Sequence, residues 1–215
     1  MRTIALAEAA ALIPDGASLM IGGFMGVGTP ECVVDELCRQ GRRDLTVIAN
    51  DTARPGVGIG KLITARRVRK AIVSHIGTNP ETQAQMLAGE LEVDLVPQGT
   101  LIERIRAAGF GLGGVLTPTG VGTVVEDGKR KIDVGGREFL LETPLRADFA
   151  LVQAFLADYL GNLTYVLTAR NFNPVIAMAA ATVIVHAEHI VPVGMISPDN
   201  VMTPAPLVDY VVTGA

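Results

Sequence analysis

Between Asp15 and Pro30 the chain reads Asp-Gly-Ala-Ser-Leu-Met-Ile-Gly-Gly-Phe-Met-Gly-Val-Gly-Thr-Pro, and the spacing of residue types in that run describes a site. Leu19 to Ile21 form the short apolar run of a buried strand. Gly22, Gly23, Gly26 and Gly28 follow within seven positions, and Thr29-Pro30-Glu31 has the composition of a helix start. A strand feeding a glycine loop and a helix N-terminus can aim backbone N–H groups at a negatively charged or polarised ligand oxygen. Open α/β sheets take their ligands in this setting, beyond the C-terminal ends of the strands. The same glycines would also serve a structural purpose, permitting a tight turn and close helix packing.

Other residue groups invite chemistry and carry less. Gly26-Val27-Gly28 lacks the third glycine of the dinucleotide fingerprint. Gly56-Val57-Gly58-Ile59-Gly60-Lys61-Leu62 is similar to a P-loop in spacing, but proline stands at 55 where the first glycine belongs and Leu62 replaces the Ser or Thr. Both nucleotide readings fail on those residues. His186-Ala187-Glu188-His189 would put His186 and Glu188 on one face of a continuing strand and His189 on the other, without the third convergent group a metal needs. Ser74 and His75, adjacent on a strand end, face opposite sides and cannot form a nucleophilic dyad. Lys61, Arg66, Arg67, Arg69 and Lys70 form a local basic patch, better read as a solvated face than as a phosphate contact.

The elements that must position these groups follow from composition and pattern. The 215 residues carry a formal net charge of −4, no Trp and only 4% aromatics. A core built from Val, Ile, Leu and Ala suits a parallel sheet buried on both faces by helices. The acidic balance argues against a nucleic-acid partner, and no stretch approaches the roughly 20 apolar residues of a membrane span. Cys32 and Cys38 are the only cysteines, six positions apart on one expected helix, and the N-terminal stretch lacks a signal-peptide layout. The expectation is a cytoplasmic protein with no membrane partner.

Along the chain the pattern predicts a helix over Thr3–Leu12, ended by Pro14-Asp15-Gly16, then the strand, the glycine loop and a helix capped by Thr29 and ending near Gln40-Gly41. Leu45–Ala49 is the next strand, leading into a polar loop from Asn50. Ile59–Ala65 is a helix, Lys70–Ser74 a strand, and Asn79-Pro80-Glu81 opens a helix to about Ala88. Leu91–Val96 reads as a buried strand and Thr100–Ala108 as a helix. This alternation indicates βαβ units with right-handed crossovers. After Gly109 it breaks: Thr123–Val125 and Lys131–Val134 read as a hairpin, with Glu138–Leu141 as a third strand. Asp148–Phe155 resumes a buried strand, Asn173-Pro174 opens a short helix to about Ala180, and Thr182–His186 and Tyr210–Thr213 close the series. The fold expected is α/β, an open, mostly parallel, Rossmann-like three-layer sheet, with a small antiparallel insertion near 115–142, in one domain over 1–215.

The run from Asp15 to Pro30 resembles the signature of the α subunit of the family I, or 3-oxoacid, CoA-transferases: Asp-Gly, two free positions, three apolar residues, Gly-Gly-Phe, three free, Gly, one free, Pro. Every specified position is satisfied. Further strings also resemble family blocks: Ser74–Thr82, Gly89–Val93, Val96–Arg106, Leu116–Thr123 and Ala169–Pro174. The strings are most similar to those of bacterial members acting on acetate and acetoacetate.

The resemblance implies CoA transfer between a short-chain or 3-oxoacyl-CoA, such as acetoacetyl-CoA, and a free carboxylate such as acetate. CoA is then a substrate, and no cofactor is tightly bound and no metal used. In such enzymes a glutamate in a Ser-Glu-Asn-Gly-type motif of a β subunit attacks the thioester. An acyl anhydride forms first, and CoA converts it to a glutamyl thioester that the incoming carboxylate takes apart. This chain has no Ser-Glu-Asn-Gly and no glutamate in a comparable glycine-rich setting. The implied partner is therefore a separate β subunit, in an α2β2 assembly or with a self-associated α subunit.

By the same resemblance Gln98 is the oxyanion donor, and Gly23, Phe24, Met25, Gly26, Val27, Gly28, Thr29 and Pro30 shape the CoA and acyl site. Asn50 is a candidate substrate contact, although relatives carry two amides where this chain has Asn50-Asp51. Phe110 stands where relatives are richer in glycine and is a candidate wall of the acyl pocket. From the residues alone Gln98 is better read as a loop-capping side chain, and the chain could be a non-catalytic ligand-sensing or scaffold module of the same fold.

Overall fold

The computed structural model describes residues 2–213. β1 (Arg2–Ala5) runs straight into α1 (Leu6–Ala11), so the N-terminal segment read from sequence as one helix is a strand followed by a helix of six residues. There follow β2 (Ser18–Ile21), α2 (Glu31–Arg39), β3 (Leu45–Asp51), α3 (Gly60–Thr64), β4 (Val68–His75), α4 (Pro80–Leu87), β5 (Glu92–Leu95) and α5 (Gln98–Gly109). These match the expected order. β3 runs two residues further than expected, which makes Asn50 and Asp51 strand residues, and α5 begins at Gln98 itself.

The insertion comprises β6 (Val115–Thr117), β7 (Lys131–Val134) and β8 (Arg137–Glu142), an antiparallel sheet in the order β6-β8-β7. Its hairpin is not the expected one. Val124–Glu126 is a turn of 3-10 helix capped by the Thr123 hydroxyl, which accepts the N–H of Val125 at 3.2 Å. β7 instead reverses into β8 through Gly135-Gly136, with φ of 63° and 79°. Two consecutive left-handed residues are what a two-residue hairpin turn needs, and a Gly-Gly pair supplies them without strain.

The chain then enters β9 (Ala147–Asp158), β10 (Leu163–Thr164), α6 (Asn173–Ile176), β11 (Ala180–Val191) and β12 (Tyr210–Thr213). α6 is a single turn, shorter than the sequence predicts, and β11 extends past His189. The main sheet has the order β1-β12-β11-β9-β2-β3-β4-β5. All pairs along that path are parallel, and β10 lies antiparallel on β9.

Period-two alternation sorts the strands' side chains into two cores. Leu19, Ile21, Val47 and Val73 face Val33, Val34, Leu37, Leu62 and Ile63 of α2 and α3, together with Ala9 and Ala10 of α1. Met20, Ile48 and Ile72 point the other way, against Leu101 and Ile105 of α5 and Ile176 of α6. The result is the expected three-layer α/β arrangement. β5 departs from expectation: it is the sheet's edge and mostly exposed, while the flanking Leu91 and Val96 are buried. Among the described residues no helix is long and apolar enough to cross a membrane.

β2 is the switch point of this topology. One neighbour, β3, is reached through the next helix in the chain, whereas the other, β9, arrives only after the whole insertion. Open α/β sheets bind ligands in the crevice beyond such a point.

Candidate active site

The loop leaving β2 is tightly bound to the protein. The N–H of Gly22 donates to the carbonyl of Leu151 on β9 at 3.1 Å. Phe24 and Val27 exchange backbone hydrogen bonds of 3.0 and 2.9 Å around Met25-Gly26, both with positive φ (50° and 90°). Phe24 and Val27 themselves are exposed on the rim. Thr29 does not cap α2 with its side chain: the buried hydroxyl donates back to the carbonyl of Gly22 at 3.0 Å, closing the loop on itself. Pro30 takes the capping position and α2 starts at Glu31.

Asn173 pins the loop from the other side. Fully buried, it donates to the carbonyls of Gly28 (2.9 Å) and Ala169 (3.0 Å) and accepts the N–H of Gln153 (3.0 Å). From sequence Asn173-Pro174 reads as a helix start within a string that resembles a family block. What sequence reasoning missed is that α6 packs beneath the glycine loop, a contact between segments 145 residues apart.

Of the loop N–H groups only that of Met25 meets an acceptor in this direction, and the acceptor is internal. Asp51, 3% exposed at the end of β3, accepts the N–H of Met25 on both oxygens (3.0 and 3.3 Å) and that of Ala53 on Oδ1 at 2.6 Å. Its Oδ2 also accepts Asn50 Nδ2 at 2.8 Å. Gly23, Gly26 and Gly28 keep N–H groups with no protein acceptor among the described residues. Asn50 is buried, and its side-chain oxygen accepts a hydrogen bond from Nε2 of Gln98, which is exposed at the first position of α5. The structure thus joins Gln98, Asn50 and the glycine loop in one hydrogen-bonded chain, with Asp51 as the unexpected member.

Beside the loop lies a cavity of about 300 Å³ whose walls include Val27, Gly28, Thr29, Gln153, Ala169 and Glu188. A larger one, about 560 Å³, sits between β5, α5 and the insertion and holds none of the site residues expected from sequence. The smaller cavity is the one that shares a wall with the glycine loop.

The remaining groups are placed apart or engaged. The strand through His186–His189 does continue, and it separates the two rings: His186 Nδ1 meets Gln153 Oε1 at 2.8 Å, while His189 packs edge-on against Phe155. Burial pushes the His186 pKa below its usual value, opposed by the Glu188 charge. The Ser74 hydroxyl donates to the backbone carbonyl of Asn50 at 2.7 Å rather than to an imidazole. Lys61 pairs with Glu31 and Asp35, Arg66 with Glu90 and Lys70 with Glu92, so the basic patch is largely spent on carboxylates. Burial raises the pKa of both Cys32 and Cys38, away from the nucleophilic thiolate. Phe110, 63% exposed, caps the far end of α5, about 18 Å from Gln98 by helix rise. The structure does not bring those two together.

The comparisons with known proteins agree with this architecture. The family model described as Coenzyme A transferase matches residues 3–214. The chain is 55% identical over 211 residues, 98% of its own length and 96% of the relative's, to the acetate CoA-transferase subunit alpha of Escherichia coli (strain K12). It is 52% identical over 198 residues, 92% of its length and 91% of the relative's, to the acetoacetyl-CoA:acetate/butyrate CoA transferase alpha subunit of Clostridium acetobutylicum. Among solved structures, the acyl-CoA transferase of E. coli O157:H7 shares its fold with a TM-score of 0.84 at 24% identity. That match takes in 99% of this chain and 47% of the other, so the chain spans about half the length of that enzyme. A match this long, running through the glycine loop, α5 and α6 alike, leaves one assignment: the chain belongs to the coenzyme A transferase family.

Proposed function

We propose that these 215 residues form the α-subunit domain of a CoA-transferase. The enzyme would move CoA between a short-chain or 3-oxoacyl-CoA, such as acetoacetyl-CoA, and a free carboxylate, such as acetate. CoA enters and leaves as a substrate, and the reacting glutamate is supplied by a separate β subunit in an α2β2 assembly. The reading carries with it a cytoplasmic location, in keeping with two unpaired cysteines.

One observation carries this reading. Gln98, Asn50 and the glycine loop meet at the sheet's topological switch point, while the carboxylate at their centre, Asp51, is buried and occupied by three donors. The arrangement offers amide and backbone N–H groups and lacks a free nucleophile. Two relatives matched over more than nine-tenths of the chain are named as alpha subunits, which supports a divided enzyme.

In the proposed reaction the partner's glutamate attacks the thioester carbonyl and the acyl oxygen becomes negative. Gln98 would donate an N–H to that oxygen. A neutral amide suits the position, because a carboxylate there would repel the developing charge. A preorganised donor of this kind lowers the barrier by about 2.7–4 kcal/mol. Gly23 to Pro30 would form one wall for the acyl group and CoA, and Asn50 would hold Gln98.

Reconstitution tests the reading. The purified chain should transfer no CoA from acetoacetyl-CoA to acetate until the β subunit is added. Transfer by the chain alone would overturn the divided-enzyme reading, and Glu188, the carboxylate lining the cavity, would be the first residue to substitute.

A further inference from the structure

A carboxylate only accepts hydrogen bonds, and that dictates the polarity of two neighbouring amides. Asp51 is surrounded by three donors: the N–H of Met25, the N–H of Ala53 and Nδ2 of Asn50. Asn50 must therefore turn its NH2 toward Asp51 and its carbonyl oxygen away. Gln98 meets that oxygen, and it can do so only with its own NH2. One N–H of Gln98 is engaged on Asn50, and the other has no protein acceptor among the described residues.

We propose that Asp51 is a positioning residue. The direction of its hydrogen bonding, relayed through Asn50, holds the Gln98 amide with its nitrogen where the acyl oxygen becomes negative. This rests on the reading of Gln98 as the oxyanion donor. A freely turning glutamine amide presents oxygen as readily as nitrogen, and oxygen at that point would repel the charge it is meant to receive. The relay removes that choice before substrate arrives. The Asp51 charge does not cancel the benefit, because two backbone N–H groups and one amide already compensate it.

Asp51→Asn exposes the relay. The new amide keeps its oxygen at the Oδ1 position, within reach of both backbone donors, Ala53 N–H at 2.6 Å and Met25 N–H at 3.3 Å, so its NH2 takes the Oδ2 position and faces Asn50. Asn50 then reverses, and Gln98 with it. Loss of a buried negative charge near a developing one would by itself raise turnover, so a fall reads orientation rather than charge.

In the reconstituted complex Asp51→Asn should lower kcat about tenfold or more with KM for acyl-CoA within about twofold, and Gln98→Ala added to it should cost no more than about twofold, far below its effect alone. Equal cost of Gln98→Ala in both backgrounds would show that Asp51 does not act through Gln98. Neutron diffraction from deuterated crystals of the protein reads the same relay without activity: both amides should be reversed in Asp51→Asn, and unreversed amides overturn the proposal. A wild-type complex that transfers no CoA would sink the functional reading, while the neutron result would still decide the relay. If Asp51→Asn does not fold, Asn50→Ala interrupts the relay and leaves the backbone bonds of Asp51 in place. An unchanged kcat in that variant overturns the proposal.

Discussion

The side-chain oxygen of Asn173 fills the space in which a β-carbon on Gly22 would stand: that carbon would lie 1.8 Å from Oδ1 and 2.4 Å from Cγ. Gly22 is therefore glycine for reasons of room, and the room is taken by the residue that holds the far side of the same loop.

Gly22→Ala should expel Asn173 from its place. Asn173→Ala should cost about 2–4 kcal/mol of stability, since it leaves the buried carbonyls of Gly28 and Ala169 and the N–H of Gln153 without partners. Because both substitutions damage one contact, the double variant should lose less than the sum of the two. Equilibrium urea unfolding measures all three, and strict additivity would show that the two residues act separately.

Gln98→Ala in the reconstituted complex should reduce kcat by about 10²–10³ while KM for acyl-CoA moves only a few-fold, as expected for a donor used mainly in the transition state. Steady-state kinetics decides it, and unchanged turnover would remove Gln98 from the oxyanion role.

Ser18 and Asp148 join the entrances of β2 and β9. The Asp148 carboxylate accepts the Ser18 hydroxyl at 2.6 Å and its N–H at 2.8 Å, and the hydroxyl accepts the N–H of Asp148 at 2.9 Å. The hydroxyl bond, with the backbone N–H behind it, holds the Asp148 carboxyl below the usual range. The folded protein thus binds the proton less readily than the unfolded chain. The stability this contributes is present above the unfolded value of about 3.9 and is lost as the pH falls through the folded one. Ser18→Ala should be destabilised most near neutral pH, with the gap to wild type narrowing below about pH 4. Unfolding curves at several pH values measure the gap, and one that does not change with pH would contradict the assignment.

The parts of this protein that the sequence makes legible are those whose causes lie close together along the chain. The βα alternation from β2 to α5 follows from apolar runs, proline starts and glycine ends. The Asn79 cap is present as read, its side chain accepting the N–H groups of Glu81 and Thr82. β1 was not legible, because its partner β12 lies at the other end of the chain and an alanine-rich stretch beside it favours helix locally. The hairpin sits one strand later than expected, because Gly135-Gly136, the stronger turn signal, follows Lys131–Val134 rather than preceding it. In the site, the loop could be read as one continuous run. Asp51, Asn173 and the hydroxyl of Thr29 could not: each acts on a backbone group brought near by topology, and no spacing in the sequence encodes that.

The position of β2 between β3 and β9 also orders events during folding. Its β3 neighbour can form early, but the β9 neighbour waits on a loop of 130 residues between Ser18 and Asp148, and closing long loops is the slow part of building a parallel sheet. The glycine loop is fastened by Leu151 and Asn173, both from the late-arriving part of the chain. A ribosome-bound chain that has emerged only through α5 contains Asn50 and Gln98 but lacks the residues that fasten the loop. The competent wall is completed only when β9 and α6 arrive, after the β2–β5 half of its own sheet.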